Sequence, residues 1–168
     1  NCAPVSISER HLRETFLAPF KKVLEEAGAI SVMAAYNEID GVPCHASQWL
    51  LRNVLRDEWG FKGFVVSDYY AIRELAERPE LYGHHVARDG QEAAYLAIKA
   101  GVNIELPEPD CYLHLVDLVQ DGKLDESELD ELLAPVLKYK FMLGLFDDPY
   151  ADPDYAETIV GCDQHSRL

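Results

Sequence analysis

The chain has 168 residues, 48% of them hydrophobic, enough apolar material for the core of about one ordinary domain. Thirty acidic residues against fifteen basic ones leave a formal charge of -15, which opposes phosphate backbones and anionic lipid surfaces and argues against nucleic acid or membrane partners. No segment approaches the roughly 20 consecutive apolar residues of a membrane span, and Asn1 to Ser8 lacks the basic start and apolar run of a signal peptide. The chain starts at Asn1 without an initiator Met and stops just after a turn-rich stretch, so it reads as a piece of a longer one. Any targeting signal would lie upstream, which leaves a cytoplasmic and a periplasmic or secreted location both open. Cys2, Cys44, Cys111 and Cys162 form no CxxC pair and have no metal-ligand spacing. They read as mostly free thiols, with one long-range disulfide as the alternative, and neither metal nor cofactor is expected.

From Ser8 to Ala27, Leu12, Phe16, Leu17, Phe20, Val23 and Leu24 recur at helical spacing, with Ser8 as N-cap and Gly28 as stop. Pro19 predicts a kink or break near Ala18. Ala29 to Tyr36 reads as a short buried strand and Asn37 to Pro43 as a loop. A second helix runs from Ala46 or Ser47 to Gly60 with Trp49, Leu50, Val54, Leu55 and Trp59 as its stripe. Phe64-Val65-Val66-Ser67 reads as a buried strand running into Asp68. A helical turn over Ala71 to Glu77 follows, then a long loop from Pro79 to Asp89 containing His84-His85, a length that is often functional. Gln91 to Ala100 is helix, ended by Gly101, and Val102 to Pro107 is a third strand. Helices are expected over Leu113 to Gln120 and Asp125 to Phe141, with Pro135 as a kink point. The turn formers from Asp147 to Asp154 suggest an exposed connection.

This alternation argues for an α/β fold with a parallel sheet, because parallel neighbours need crossover helices. Three strands are too few to close a barrel. The sheet is therefore either small and open or part of a (β/α) barrel whose earlier strands are missing. Both arrangements gather Tyr36, Asp68 and Glu105 at the carboxyl ends of the strands, with Met33, Asn37 and Tyr69 close by, where α/β folds place their chemistry. Taken locally, Ser67-Asp68 could equally be the N-cap of the following turn.

A larger pattern resembles the family 3 glycoside hydrolases of the β-glucosidase and β-xylosidase type. It is carried, in order, by Leu12 to Phe20, Ser31 to Asn37, Asp40-Gly41-Val42-Pro43, Leu50 to Arg56, Trp59 to Tyr69, Ala100 to Pro107 and Lys140 to Asp147. The resemblance implies that residues 1–146 are the later part of a TIM-like (β/α)8 catalytic barrel. Residues 147–168 would then be a linker toward a missing downstream α/β sandwich domain.

The resemblance further implies a retaining exo-acting β-glycosidase for terminal β-glucosides or β-xylosides, with Asp68 as the nucleophile that forms a glycosyl-aspartate. Such a mechanism pairs the nucleophile with a second carboxyl about 5 Å away. Tyr36 matches the tyrosine expected to hydrogen-bond and orient that nucleophile. Tyr69 stands where many members carry a sugar-stacking tryptophan, and Met33 is expected near the sugar. Glu105 is taken as a supporting or structural residue rather than the acid. His84-His85 does not match the family's lysine-histidine motif. The sugar-gripping residues and the acid/base glutamate are expected in the missing barrel half and the downstream domain, which makes the isolated piece inactive and prone to associate. The competing reading is a non-catalytic α/β carbohydrate-binding or interaction module in which Asp68 is merely a cap.

Overall fold

The computed structural model describes residues 2–167; Asn1 and Leu168, the outer limits of the two expected regions, lie outside them. The chain divides into two compact units, Asn1–Val136 and Leu137–Leu168. Among the described residues there are six strands: β1 (Pro4–Val5), β2 (Ser31–Met33), β3 (Glu38–Ile39), β4 (Val42–Pro43), β5 (Phe64–Tyr69) and β6 (Ile104–Leu106). β2, β5 and β6 form a parallel sheet with β5 in the centre, the α/β arrangement that the strand and helix alternation predicts.

A second, smaller sheet replaces the loop expected over Asn37 to Pro43. β1 runs parallel to β3, and β3 pairs antiparallel with β4. Asp40 and Gly41 join the last two with φ of 49° and 84°, the left-handed pair that a two-residue hairpin turn requires and that an Asp-Gly dipeptide supplies.

The first helix is divided by its proline. Ser8 Oγ accepts from the His11 amide at 3.3 Å and opens the helix Glu9–His11. A π-wound segment, Leu12–Phe16, follows, and the Leu17 amide reaches back five residues to the Leu12 carbonyl at 2.9 Å. A fresh helix, Ala18–Glu26, then carries Pro19 in its first turn, where a missing N–H costs nothing because it would have no intrahelical partner. The second helix, Trp49–Glu58, is also π-wound and is preceded by a short 3₁₀ turn, Cys44–Ala46.

Along β5 the side chains alternate. Val65 and Ser67 are fully buried, whereas Val66 and Asp68 are only partly covered, as expected for successive residues on opposite faces. The continuous apolar run therefore marks a strand whose two faces are unequally covered, not one buried on both. Val65 packs with the helix Gly90–Ala100, whose Ala93, Ala94, Ala97 and Ala100 are completely buried. Asp89 caps this helix by accepting from the Glu92 amide at 2.9 Å, and Gly101, at φ 100°, ends it in the left-handed conformation that glycine adopts freely.

Asn103, just before β6, ties three elements together. Its Oδ1 accepts from the Val65 amide at 2.7 Å and from Arg56 Nη2 at 2.8 Å, while its Nδ2 donates to the Leu132 carbonyl at 2.6 Å.

The helix Glu126–Met142 contains Pro135 without ending there, and the division between the two units falls within it. In the second unit, Phe141 and Phe146 lie 4.5 Å apart between ring centroids. A further helix, Pro153–Ile159, is capped by Asp152, which accepts from the Tyr155 amide at 3.1 Å. The region expected as a linker thus includes one short helix.

Substituting Asn103 by Ala removes the acceptor of the Val65 amide and of Arg56 together with the donor to Leu132. The expected cost is roughly 2–4 kcal/mol, since part-buried polar groups are left unpaired. Urea titration of the protein followed by tryptophan fluorescence measures it, and a loss below about 0.5 kcal/mol, half of a typical net hydrogen bond, would contradict the role.

Candidate active site

Beyond Val66, β5 parts from β2 and bulges against β6, with which it pairs again at Tyr69. On the β2 side the Phe64 amide bonds the Ile30 carbonyl at 3.2 Å and the Ala34 amide bonds the Val66 carbonyl at 3.0 Å. Continued by two residues, that ladder would give the Asp68 amide to the Ala34 carbonyl. It goes instead to Nε2 of His45, at 3.2 Å. This parting also explains why β2 stops at Met33 rather than reaching Tyr36.

On the β6 side Val66 faces Ile104, and the next pair is Tyr69 with Leu106. Three steps on one strand against two on the other leave one extra residue on β5, a bulge of the kind that re-aims side chains beside active sites. The Leu106 amide donates to Ser67 Oγ at 2.8 Å, and the Tyr70 amide returns to the Leu106 carbonyl at 2.9 Å. Tyr70 takes up the reversal with a φ of 59°.

Asp68 does not cap a helix. Its Oδ1 accepts from the adjacent Tyr69 amide at 2.7 Å, and the next helical turn, Arg73–Leu75, begins beyond it. No ion pair among the described residues involves its carboxylate. Asp68 opens into a cleft of about 620 Å³, whose lining includes Phe20, Met33, Tyr36 and Asn37. Three of the five residues singled out from the sequence, Met33, Tyr36 and Asp68, therefore share one space.

Tyr36 donates its hydroxyl to the Tyr69 carbonyl at 2.6 Å, so it holds the peptide that follows Asp68. Burial first, then the Asp68 charge and a hydrogen bond with the Asp68 side chain, push the phenol up to about 12, which keeps its proton in place at ordinary pH.

The other two lie elsewhere. The Tyr69 ring is exposed, outside the residues lining the cleft. Glu105 is buried, and its two oxygens accept from the amides of Asp110, Cys111 and Tyr112 at 2.8, 3.0 and 2.8 Å. It holds the turn after β6.

Glu105, Asp110 and Cys111 bring ligand-type atoms within 4.8 Å of one another, but the set suits a metal poorly. Glu105 is engaged by amides, Asp110 pairs with Arg73, and burial, followed by the Glu105 charge, pushes the Cys111 thiol up to about 12. All four cysteines are unpaired.

Two histidines that the motif reading leaves aside lie behind this cleft. His45 is 1% exposed. Burial lowers its pKa to about 4, with His84 adding to the effect and Asp68 opposing it, and a hydrogen bond links the ring to the Ala35 backbone. A neutral ring with Nδ1–H toward Ala35 leaves Nε2 free to accept from Asp68. His84, from the long loop, has Nε2 2.9 Å from the Tyr36 carbonyl and Nδ1 3.2 Å from Glu38 Oε2. It fastens that loop to the end of β2. The length of the loop is a sequence signal for His84; His45 is hidden in the short turn Cys44–Ala46.

The lowered pKa of His45 sets a pH dependence. Between about 4 and the usual 6.5 the unfolded chain binds a proton that the folded chain refuses, so stability rises with pH across that window. The contribution is complete above pH 6.5 and is lost as pH falls toward 4, a difference of roughly 3 kcal/mol. Melting curves at pH 7 and pH 4.5 should show His45→Gln losing distinctly less on acidification than the unaltered protein. An equal loss in both would contradict this origin.

The family model described as the glycosyl hydrolase family 3 N terminal domain matches residues 1–139. A periplasmic β-glucosidase of Salmonella typhimurium is 40% identical over 147 residues, covering 88% of this chain and 18% of that protein. A β-xylosidase of Formosa agariphila is 37% identical over 169 residues, covering 96% and 23%. Among solved structures, a β-glucosidase from Erythrobacter marinus superposes with a TM-score of 0.92 at 42% identity, over 99% of this chain and 22% of that one. The chain thus spans about a fifth of the length of the relatives it matches. Its ordered motifs, its parallel sheet and these matches agree that the chain belongs to glycosyl hydrolase family 3, within that family's N-terminal domain.

Proposed function

We propose that this chain is the later part of the catalytic (β/α)8 barrel of a retaining, exo-acting β-glycosidase that hydrolyses terminal β-glucosides or β-xylosides, with Asp68 as its nucleophile. The observation that carries this reading is Asp68 itself: a carboxylate aimed by a bulge into an open cleft, free of any ion pair among the described residues. The names of the relatives supply the substrate class.

In this mechanism an Asp68 oxygen attacks the anomeric carbon as the bond from that carbon to the leaving oxygen breaks. A second carboxyl protonates the leaving group; water then releases the sugar from Asp68 with that same carboxyl acting as base. Glu105 is unsuited to the second role because it is buried and held by three amides. The family resemblance implies that the acid comes from a further part of a longer chain. Tyr36 keeps the Tyr69 carbonyl fixed and with it the peptide that carries the nucleophile. Met33, which lines the cleft, offers apolar surface to the sugar.

The same reading accounts for what the sheet leaves uncovered. Val66 and Asp68 lie on the less covered face of β5, β2 has a free edge, and Phe16, Phe20, Val23 and Met33 are each more than half exposed. In a closed barrel the preceding strands would occupy that side.

Two outcomes follow. In the full-length enzyme, Asp68→Asn should lower kcat on 4-nitrophenyl β-glycosides by roughly 10³-fold or more, as expected when a covalent nucleophile is removed; near-normal turnover would overturn the assignment. The isolated 168-residue chain should associate in sedimentation experiments because of its open edge and apolar surface. A sharp two-state melt of a monomer would contradict that expectation.

A further inference from the structure

The Asp68 amide has lost its place in the sheet, and a single buried side chain replaces the missing acceptor. His45 Nε2 lies 3.2 Å from that amide, while the ring's other side bonds the Ala35 backbone. The imidazole thus bridges the diverging ends of β2 and β5. The turn Cys44–Ala46 that carries it packs on the helix Gly90–Ala100, whose buried positions are alanine and isoleucine and offer no competing polar group. The ring is sealed from solvent, so water does not substitute for it.

We infer that His45 is a positioning residue for the glycosidase reaction: its neutral imidazole holds the backbone of Asp68 where β5 leaves β2 and thereby fixes the carboxylate in the cleft. The inference rests on Asp68 being the nucleophile. His45 touches no reacting atom; its effect passes entirely through the peptide of Asp68. The low pKa of the ring agrees with an acceptor nitrogen that stays unprotonated at working pH. A nucleophile displaced by a fraction of an ångström to about 1 Å loses rate without losing substrate binding.

The test compares His45→Leu, which keeps bulk but removes the acceptor, with His45→Gln, whose amide oxygen can reach the position of Nε2. Both are made in the full-length enzyme and assayed on 4-nitrophenyl β-glucoside and β-xyloside. His45→Leu should lower kcat by roughly 10- to 100-fold with KM changed by less than about threefold, and His45→Gln should restore kcat to within about threefold of the unaltered enzyme. If His45→Leu does not fold, His45→Asn replaces it, because the shorter amide reaches only the level of Nδ1 and should show the same loss. A folded variant without the acceptor that keeps its kcat, an equal loss in His45→Gln, or a change confined to KM would each overturn the inference. Asp68→Asn is assayed beside them. If Asp68→Asn remains active, the nucleophile assignment itself falls; if it is inactive while the His45 variants are normal, only the role of His45 falls.

Discussion

The central strand cannot keep its hydrogen-bond ladder and also present a carboxylate at its end. β5 satisfies both ladders as far as Val66; it then parts from β2 and bulges against β6 before pairing with it again at Tyr69. Each departure strands an amide that would be costly to bury unpaired. Two side chains supply the acceptors that the backbone no longer provides: His45 Nε2 for Asp68 and Ser67 Oγ for Leu106. The remaining geometry of the site follows from this exchange of backbone acceptors for side-chain ones.

Around Asp68 the backbone is held by a chain of side-chain hydrogen bonds. Tyr36 fastens the Tyr69 carbonyl, His84 fastens the Tyr36 carbonyl, and Glu38 meets the far nitrogen of His84. The chain of contacts runs from the long loop, through the end of β2, to the peptide beside the carboxylate. Glu105 does similar work on the other side, gathering three amides of the turn after β6. The acidic groups of the region therefore divide by environment. Glu105 is saturated by amides and serves the backbone, whereas Asp68 accepts from one amide and faces the cleft.

What could be read from the sequence was whatever local chemistry determines. The helix Gly90–Ala100 is bounded by a capping aspartate and a left-handed glycine, and β5 shows as an apolar run ending in an acid. The break before Pro19 follows from its missing N–H. Extents set by partners were less legible. β2 is shorter than its apolar run because β5 turns away from it, and the π-wound turns of Leu12–Phe16 and Trp49–Glu58 have the same apolar stripe as ordinary helices. The small sheet was legible in principle, since Asp40-Gly41 is a hairpin signal, but strands of two residues give no periodicity to read. His45 was not legible, because its importance comes from an amide freed 23 residues later in the chain. The family motifs pointed to Asp68 and Tyr36; they did not reveal that Tyr36 also grips the neighbouring peptide through the Tyr69 carbonyl.

Covalent attack by Asp68 is the central step of the proposed reaction. The most direct measurement is to inactivate the full-length enzyme with a 2-fluoro β-glycoside carrying a good leaving group, digest it, and locate the bound sugar by mass spectrometry. A fluorosugar attached to the peptide spanning Phe64 to Tyr70, with fragmentation assigning it to Asp68, is the predicted result. A sugar attached to any other residue, or turnover with inversion and no covalent adduct, would contradict it.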